Sequence, residues 1–139
     1  MAKQSRIPKD YIKVGRISMT IAREAHIKAA DIYVSPNQLR HIERRHGKEI
    51  GSCGLSALGF VENVCKRFNQ IRIGSDNSLL LVVYMERLSR VAAITLNYSL
   101  KDEFWEIKTA EPRESSAVMK KTLIWPEAHP DGGNGNRLN

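Results

Sequence analysis

The chain has 139 residues, 42% of them hydrophobic and 27% charged, which fits one globular domain of the usual ~100–200 residues and excludes a low-complexity chain. Its longest apolar stretch, Leu79 to Tyr84, is far short of the ~18 residues that cross a bilayer, and the opening MAKQSRIPKDYIKVG lacks the apolar centre of a signal peptide. Two cysteines, Cys53 and Cys65, are too few for a disulfide scaffold and lack zinc-knuckle spacing.

In chain order, residues 1–17 alternate weakly at Tyr11, Ile12, Val14 and Ile17. The Ala-rich run 18–30 favours a helix, and Ile32 to Val34 reads as a short extended piece. Ser35 followed by Pro36 is a helix start, since serine caps the first amides and proline fits the first helical position. Leu39, Ile42 and His46 follow at spacings of three and four, and Gly47 is the expected stop. A second helix is expected over about 55–68, with Leu58, Val61, Cys65 and Phe68 on one face and Cys65 packing there.

From Gln70 the period becomes that of strands. Gln70 to Ile73 precedes a Gly-Ser-Asp-Asn turn, and Ser78 to Glu86 is apolar on both faces, as for a strand covered on both sides. Ser89 to Ser99 places Ala92, Ile94, Leu96 and Tyr98 on one face. Phe104 to Thr109 alternates again, with Trp105 expected in the core, and Glu111-Pro112 is the expected end because proline cannot continue a ladder. Lys120 to Trp125 is the expected last strand. The pattern predicts an α+β fold, N-terminal helices on a four- to five-stranded antiparallel meander, with one domain over 1–125 and a flexible tail over 126–139.

Charge is unevenly distributed. Residues 1–70 carry 13 Lys/Arg against 6 Asp/Glu, and residues 71–139 carry 9 of each, so the whole net charge of +7 lies in the first half. A basic region draws polyanions by counterion release, and nucleic acid is the commonest such partner. A basic surface that serves only solubility is the competing reading.

The segment His41-Ile-Glu-Arg-Arg-His46-Gly-Lys48 sets two imidazoles among cations. Histidine exchanges protons near neutral pH, and neighbouring cations stabilise charge developing on a phosphate. Together they suit RNA cleavage by attack of the 2′-hydroxyl, in which a base, an acid and cations suffice. A packed histidine, or one favouring the helix dipole, are the bland alternatives. The five-residue spacing is not that of zinc ligands on a helix, and HIERRH is not HExxH. Neither a Walker motif nor a nucleophile elbow occurs, and nothing brings Cys53 to either histidine.

Two stretches, Tyr33-Val-Ser-Pro-Asn-Gln-Leu-Arg-His41-Ile-Glu-Arg-Arg-His46-Gly and Ile107-Lys-Thr109-Ala-Glu-Pro112, flank the strand run. Over about 31–125 the chain resembles the phage and polymorphic-toxin branch of the barnase/EndoU/colicin/RelE-like ribonuclease superfamily, in which an HI..RH helix precedes the sheet and a TA.P strand end comes late. The resemblance implies a metal-independent endoribonuclease without cofactor, acting on tRNA or mRNA, toxin-like, cytoplasmic or delivered into a target cell, with a possible cognate immunity protein or antitoxin and no membrane partner. Carried over, His41, His46 and Thr109 would be catalytic, Thr109 by a hydroxyl bond to the phosphate. Arg45, Lys48, Lys108 and Tyr98 would contact substrate. The pattern departs from barnase-type enzymes in one respect, because no counterpart to their catalytic glutamate is evident. A non-catalytic nucleic-acid-binding or phage structural module is the alternative.

Overall fold

A computed structural model describes residues 7–126. The order is β1 (Ile12–Ile17), α1 (Met19–Ala25), β2 (Ala30–Val34), α2 (Pro36–Gly51), α3 (Ala57–Arg67), β3 (Gln70–Ile73), β4 (Leu79–Val83), β5 (Arg90–Ser99), β6 (Phe104–Glu114), α4 (Ser115–Met119) and β7 (Leu123–Trp125). Among the described residues the strands form one seven-stranded sheet in the order β1-β2-β6-β5-β4-β3-β7.

Serine caps begin the two long helices. Ser35 Oγ accepts from the Gln38 amide at 3.1 Å with Pro36 in the first turn, and Ser56 Oγ accepts from Gly59 at 3.0 Å. Each satisfies an amide that the helix itself leaves open. Their apolar faces, Ile42 and Ile50 from α2 and Phe60, Val61, Val64 and Cys65 from α3, enter one core with Ile32, Leu81, Ile94, Leu96, Ile107 and Ala110 of the sheet. Contact with β1 is close enough that a Cβ on Gly15 would lie 2.7 Å from Cys65 Cβ. Burial pushes the Cys65 thiol up to about 12, with Glu62 adding to the effect.

The sheet curls around α3. Trp125 on edge strand β7 donates through Nε1 to Glu24 Oε1 of α1 at 2.8 Å, although α1 directly follows the opposite edge strand. Trp105 Nε1 donates to the Lys28 carbonyl at 2.9 Å, tying β6 to the chain that leads into its neighbour β2. The outer face is covered in part: Val118 of α4 packs on Leu80, Val82, Val91 and Ala93. Arg72, 4% exposed, donates to Gln70 Oε1 at 3.0 Å and to the Lys121 carbonyl at 2.6 Å, fastening the chain that leaves α4.

The α+β class holds, and β3 to β6 form the expected antiparallel meander. The whole sheet is mixed and larger than four or five strands, because β1 and β2 pair antiparallel with each other and β2 joins β6 in parallel through Ile32–Trp105 and Tyr33–Glu106. The weak alternation in 12–17 is therefore a real strand. Helix α1 is half the expected length: His26 takes a left-handed conformation (φ 59°) and the chain turns back to pair as β2, so ladder bonds outweigh alanine propensity. Gly47 does not stop α2, since the next turn buries Ile50 at 1% exposure. That burial outweighs the ~1 kcal/mol cost of an internal glycine. Pro112 does not end β6, which runs on to Glu114. Beyond Glu106 this strand has a ladder partner on one side only, and an edge offers proline a site where its missing amide is not needed. The expected strand over 120–125 is shortened to Leu123–Trp125. The expected tail lies, from residue 127 onward, outside the described residues.

Candidate functional site

One irregularity of β6 creates the site. In the ladder with β5, Leu96 pairs with Ile107 and Thr95 with Thr109, so Lys108 is an extra residue with none opposite. A bulge of this kind shifts the alternation by one. Before it Trp105 and Ile107 face the core, and after it Ala110 does, joining the same buried cluster. Thr109, Glu111 and Arg113 pair with Thr95, Ala93 and Val91, and so line the outer face in a row. Without the slip the same three side chains would point into the apolar interior, where an unpaired charge costs several kcal/mol.

The row borders a cavity of about 260 Å³ on the outer face. Lys108, Thr109 and Arg113 form one wall, Thr95, Asn97 and Leu80 the floor, and the 74–78 turn with Asp76 the other wall. At the free edge of β6, α2 brings a histidine to the row. His46 Nε2 lies 3.7 Å from Glu111 Oε2, and its Nδ1 lies 3.5 Å from Glu49 Oε1. Arg113 Nη2 approaches the same Glu111 oxygen at 3.8 Å, and Arg90 Nη1 holds Glu49 at 2.9 Å. Arginine, carboxylate, imidazole, carboxylate and arginine thus alternate in one chain of charges. The His46 side chain is only 15% exposed.

Two atoms of this chain, His46 Nδ1 and Arg113 Nε, are buried without a hydrogen-bond partner. Native proteins leave few such groups, and each asks for a reason. Both belong to the charge chain at the rim of a polar cavity.

Of the residues singled out from the sequence, Lys108 and Thr109 share the cavity wall, and His46 reaches it through Glu111 and Arg113. His41 does not join them. Five residues along a helix turn a side chain by ~140°, so His41 looks along another side of α2 from His46, as do the exposed Arg45 and Lys48. Tyr98 stands on the helix-facing side, edge-on to Trp105 with ring centroids 4.9 Å apart, and lines a different cavity with Ile27, Lys28 and Leu100. Glu111, Arg113 and Glu49 are the residues that sequence reasoning missed. Glu111 was hidden by the expectation that the strand ends there. Its signal was the alternation Thr109, Glu111, Arg113, which makes sense as one face only if the strand continues through Pro112.

Comparison with family models, with curated proteins and with solved structures gave no match to this chain. No helix among the described residues is long and apolar enough to cross a membrane.

Proposed function

We propose that the chain is a metal-independent endoribonuclease that cleaves by attack of the 2′-hydroxyl on the adjacent phosphate. The observation that carries this reading is the Glu111 carboxylate, shared between the His46 imidazole and the Arg113 guanidinium at the margin of a cavity lined by Lys108 and Thr109. The reaction needs a base, an acid and cations in reach of one phosphate. Glu111 and His46 form the proton-transfer pair. One takes the proton of the 2′-hydroxyl as its oxygen bonds to phosphorus, and the other protonates the 5′-oxygen as its bond to phosphorus breaks. The products are a 2′,3′-cyclic phosphate and a 5′-hydroxyl. Arg113 and Lys108 stabilise the added charge of the phosphorane, and the Thr109 hydroxyl donates to one of its oxygens.

The resemblance to toxin ribonucleases supports the same chemistry, and Glu111 supplies the carboxylate that the sequence did not reveal. In this reading His41, Arg45 and Lys48 guide the RNA backbone along α2, the substrate is a structured RNA such as tRNA or an mRNA, and the site of action is cytoplasmic. A cognate immunity protein would cover the outer face. A second reading, binding without cleavage, is favoured by Arg44, Arg45 and Lys48, which are exposed and without an ion pair among the described residues. One experiment separates the two. Total RNA incubated with the protein in EDTA should yield fragments ending in cyclic phosphate. His46→Ala and Glu111→Gln should each lower the rate by about 10²–10⁴-fold, the size of a lost proton-transfer group. Salt-sensitive binding with intact RNA would establish the non-catalytic reading instead.

A further inference from the structure

The imidazole of His46 stands between two carboxylates, and the ribonuclease reading gives work to only one of them. Glu111, in the row beside the cavity, faces Nε2 at 3.7 Å. Glu49 faces the other ring nitrogen, Nδ1, at 3.5 Å. The two carboxylates are held differently. Arg90 Nη1 takes Oε2 of Glu49 at 2.9 Å, which leaves Oε1 as the oxygen next to the ring. Glu111 meets both His46 and Arg113 with a single oxygen, and neither contact is shorter than 3.7 Å.

Helix geometry puts Glu49 where it is. Residues three apart share a face of a helix, and this pair exists because α2 runs on through Gly47 into the turn anchored by Ile50. Arg90 opens β5 opposite Glu114 of β6, so the hold on Glu49 comes from the strands that also carry Glu111. Nδ1 is buried and at this distance has no hydrogen-bond partner. A bare lone pair there would face a carboxylate oxygen, whereas an N–H meets an acceptor. Catalytic hydrogen bonds are commonly long until substrate tightens them. The hydrogen bond made by one ring nitrogen decides what the other can do, and a proton kept on Nδ1 leaves Nε2 to exchange.

We propose that Glu49 is a positioning residue that keeps a proton on Nδ1 of His46, so that Nε2, the nitrogen facing Glu111, is the one that exchanges protons with RNA. Arg90 acts one step further out, turning Oε1 of Glu49 to the ring by occupying Oε2. When His46 is the acid, the Nε2 proton goes to the 5′-oxygen as its bond to phosphorus breaks. When His46 is the base, Nε2 takes the proton of the 2′-hydroxyl as its oxygen bonds to phosphorus. In either direction the Nδ1 proton stays with Glu49. The assignment rests on the ribonuclease reading for its reaction, but the tautomer it names is a property of the protein alone.

Two readouts separate this role from a structural one. The first is the tautomer, read from the ¹⁵N shifts of the His46 ring at a pH where the imidazole is neutral. Loss of its signals in His46→Gln distinguishes this ring among the four histidines. Wild type should carry the proton on Nδ1, and Glu49→Ala should move it toward Nε2. Glu49→Gln keeps an oxygen for the Nδ1 proton and should retain the wild-type form. The second readout is cleavage. Glu49→Ala should lower kcat by about 10–100-fold, the loss expected of a partner that orients a histidine, with KM within about twofold, and Glu49→Gln should recover most of that rate. A wild-type proton on Nε2, a tautomer that Glu49→Ala leaves unchanged, or equal rate losses in the two variants overturns the assignment and leaves the ribonuclease reading standing. A tautomer that depends on Glu49 in a protein that cuts no RNA supports the positioning role and overturns the ribonuclease reading.

Discussion

The two faces of the sheet are built from the same strands and ask opposite things of them. On the inner face every strand contributes aliphatic side chains to a core closed by α2 and α3, and residues such as Ile17, Ile32, Ile71 and Ile107 lose all exposure. On the outer face Leu80, Val82, Val91 and Ala93 are covered by Val118 and Arg72 is buried beside them, while along β6 a row of hydroxyl, carboxylate and guanidinium groups borders an open cavity. Burial stabilises the first face. The second holds Glu111 between Arg113 and the His46 of α2 in a chain of ion pairs. The core supplies the rigid frame against which the polar row is held.

Substitutions that touch one face alone test this division. Phe60→Ala empties a large site in the core and should cost about 3–5 kcal/mol, seen as a large fall in the denaturation midpoint. Its outer-face counterpart, Thr109→Val, should change stability by less than about 1 kcal/mol while slowing RNA cleavage. A Thr109→Val protein that melts as early as Phe60→Ala would show the outer row to be structural, and the division would fail. A smaller loss is expected for Gly15→Ala. The added methyl meets Cys65 Cβ at 2.7 Å, and overpacking of this kind costs about 1–3 kcal/mol. Pairing it with Cys65→Gly should recover part of the loss, which denaturant titration of the single and double variants measures.

The smallest effect concerns the two thiols. Cys53 is exposed and Cys65 buried. Burial raises the Cys65 pKa to about 12, so alkylation of the native protein at pH 8 should modify Cys53 first and Cys65 only through unfolding. The sign of the linkage follows from a folded value above the unfolded one. The contribution of Cys65 is complete below the unfolded thiol pKa of ~8.5 and is lost as pH rises from there toward 12. Cys65→Ala should flatten the alkaline fall of stability over that window, and equal labelling of both thiols would contradict the buried placement.

The elements that local chemistry controls were legible in the sequence. Ser35-Pro36 starts α2 as expected, and of the stripe Leu58, Val61, Cys65 and Phe68 the middle two are buried on α3, with Leu58 and the capping Phe68 partly buried against the same core. The four strands of the meander follow from the alternation in 89–99 and 104–109, from the apolar run after Ser78 and from the Gly-Ser-Asp-Asn turn. Partial legibility holds for the site. Lys108 and Thr109 reach one cavity and His46 comes to its margin, whereas His41 and Tyr98 lie elsewhere.

Caps, turns and periodicity were readable from the residues alone because their free energies are set within a few positions along the chain. Tertiary structure alone decided whether Gly47 and Pro112 interrupt their elements, where β1 and β2 dock, and which way β6 turns its side chains after Lys108. Each of those outcomes depends on what lies across the core or on the neighbouring strand, dozens of residues away. The meeting of His46 with Glu111 is the clearest case: a one-residue slip in one ladder turns the carboxylate to the outer row, and a helix packed at the free edge brings the imidazole to it.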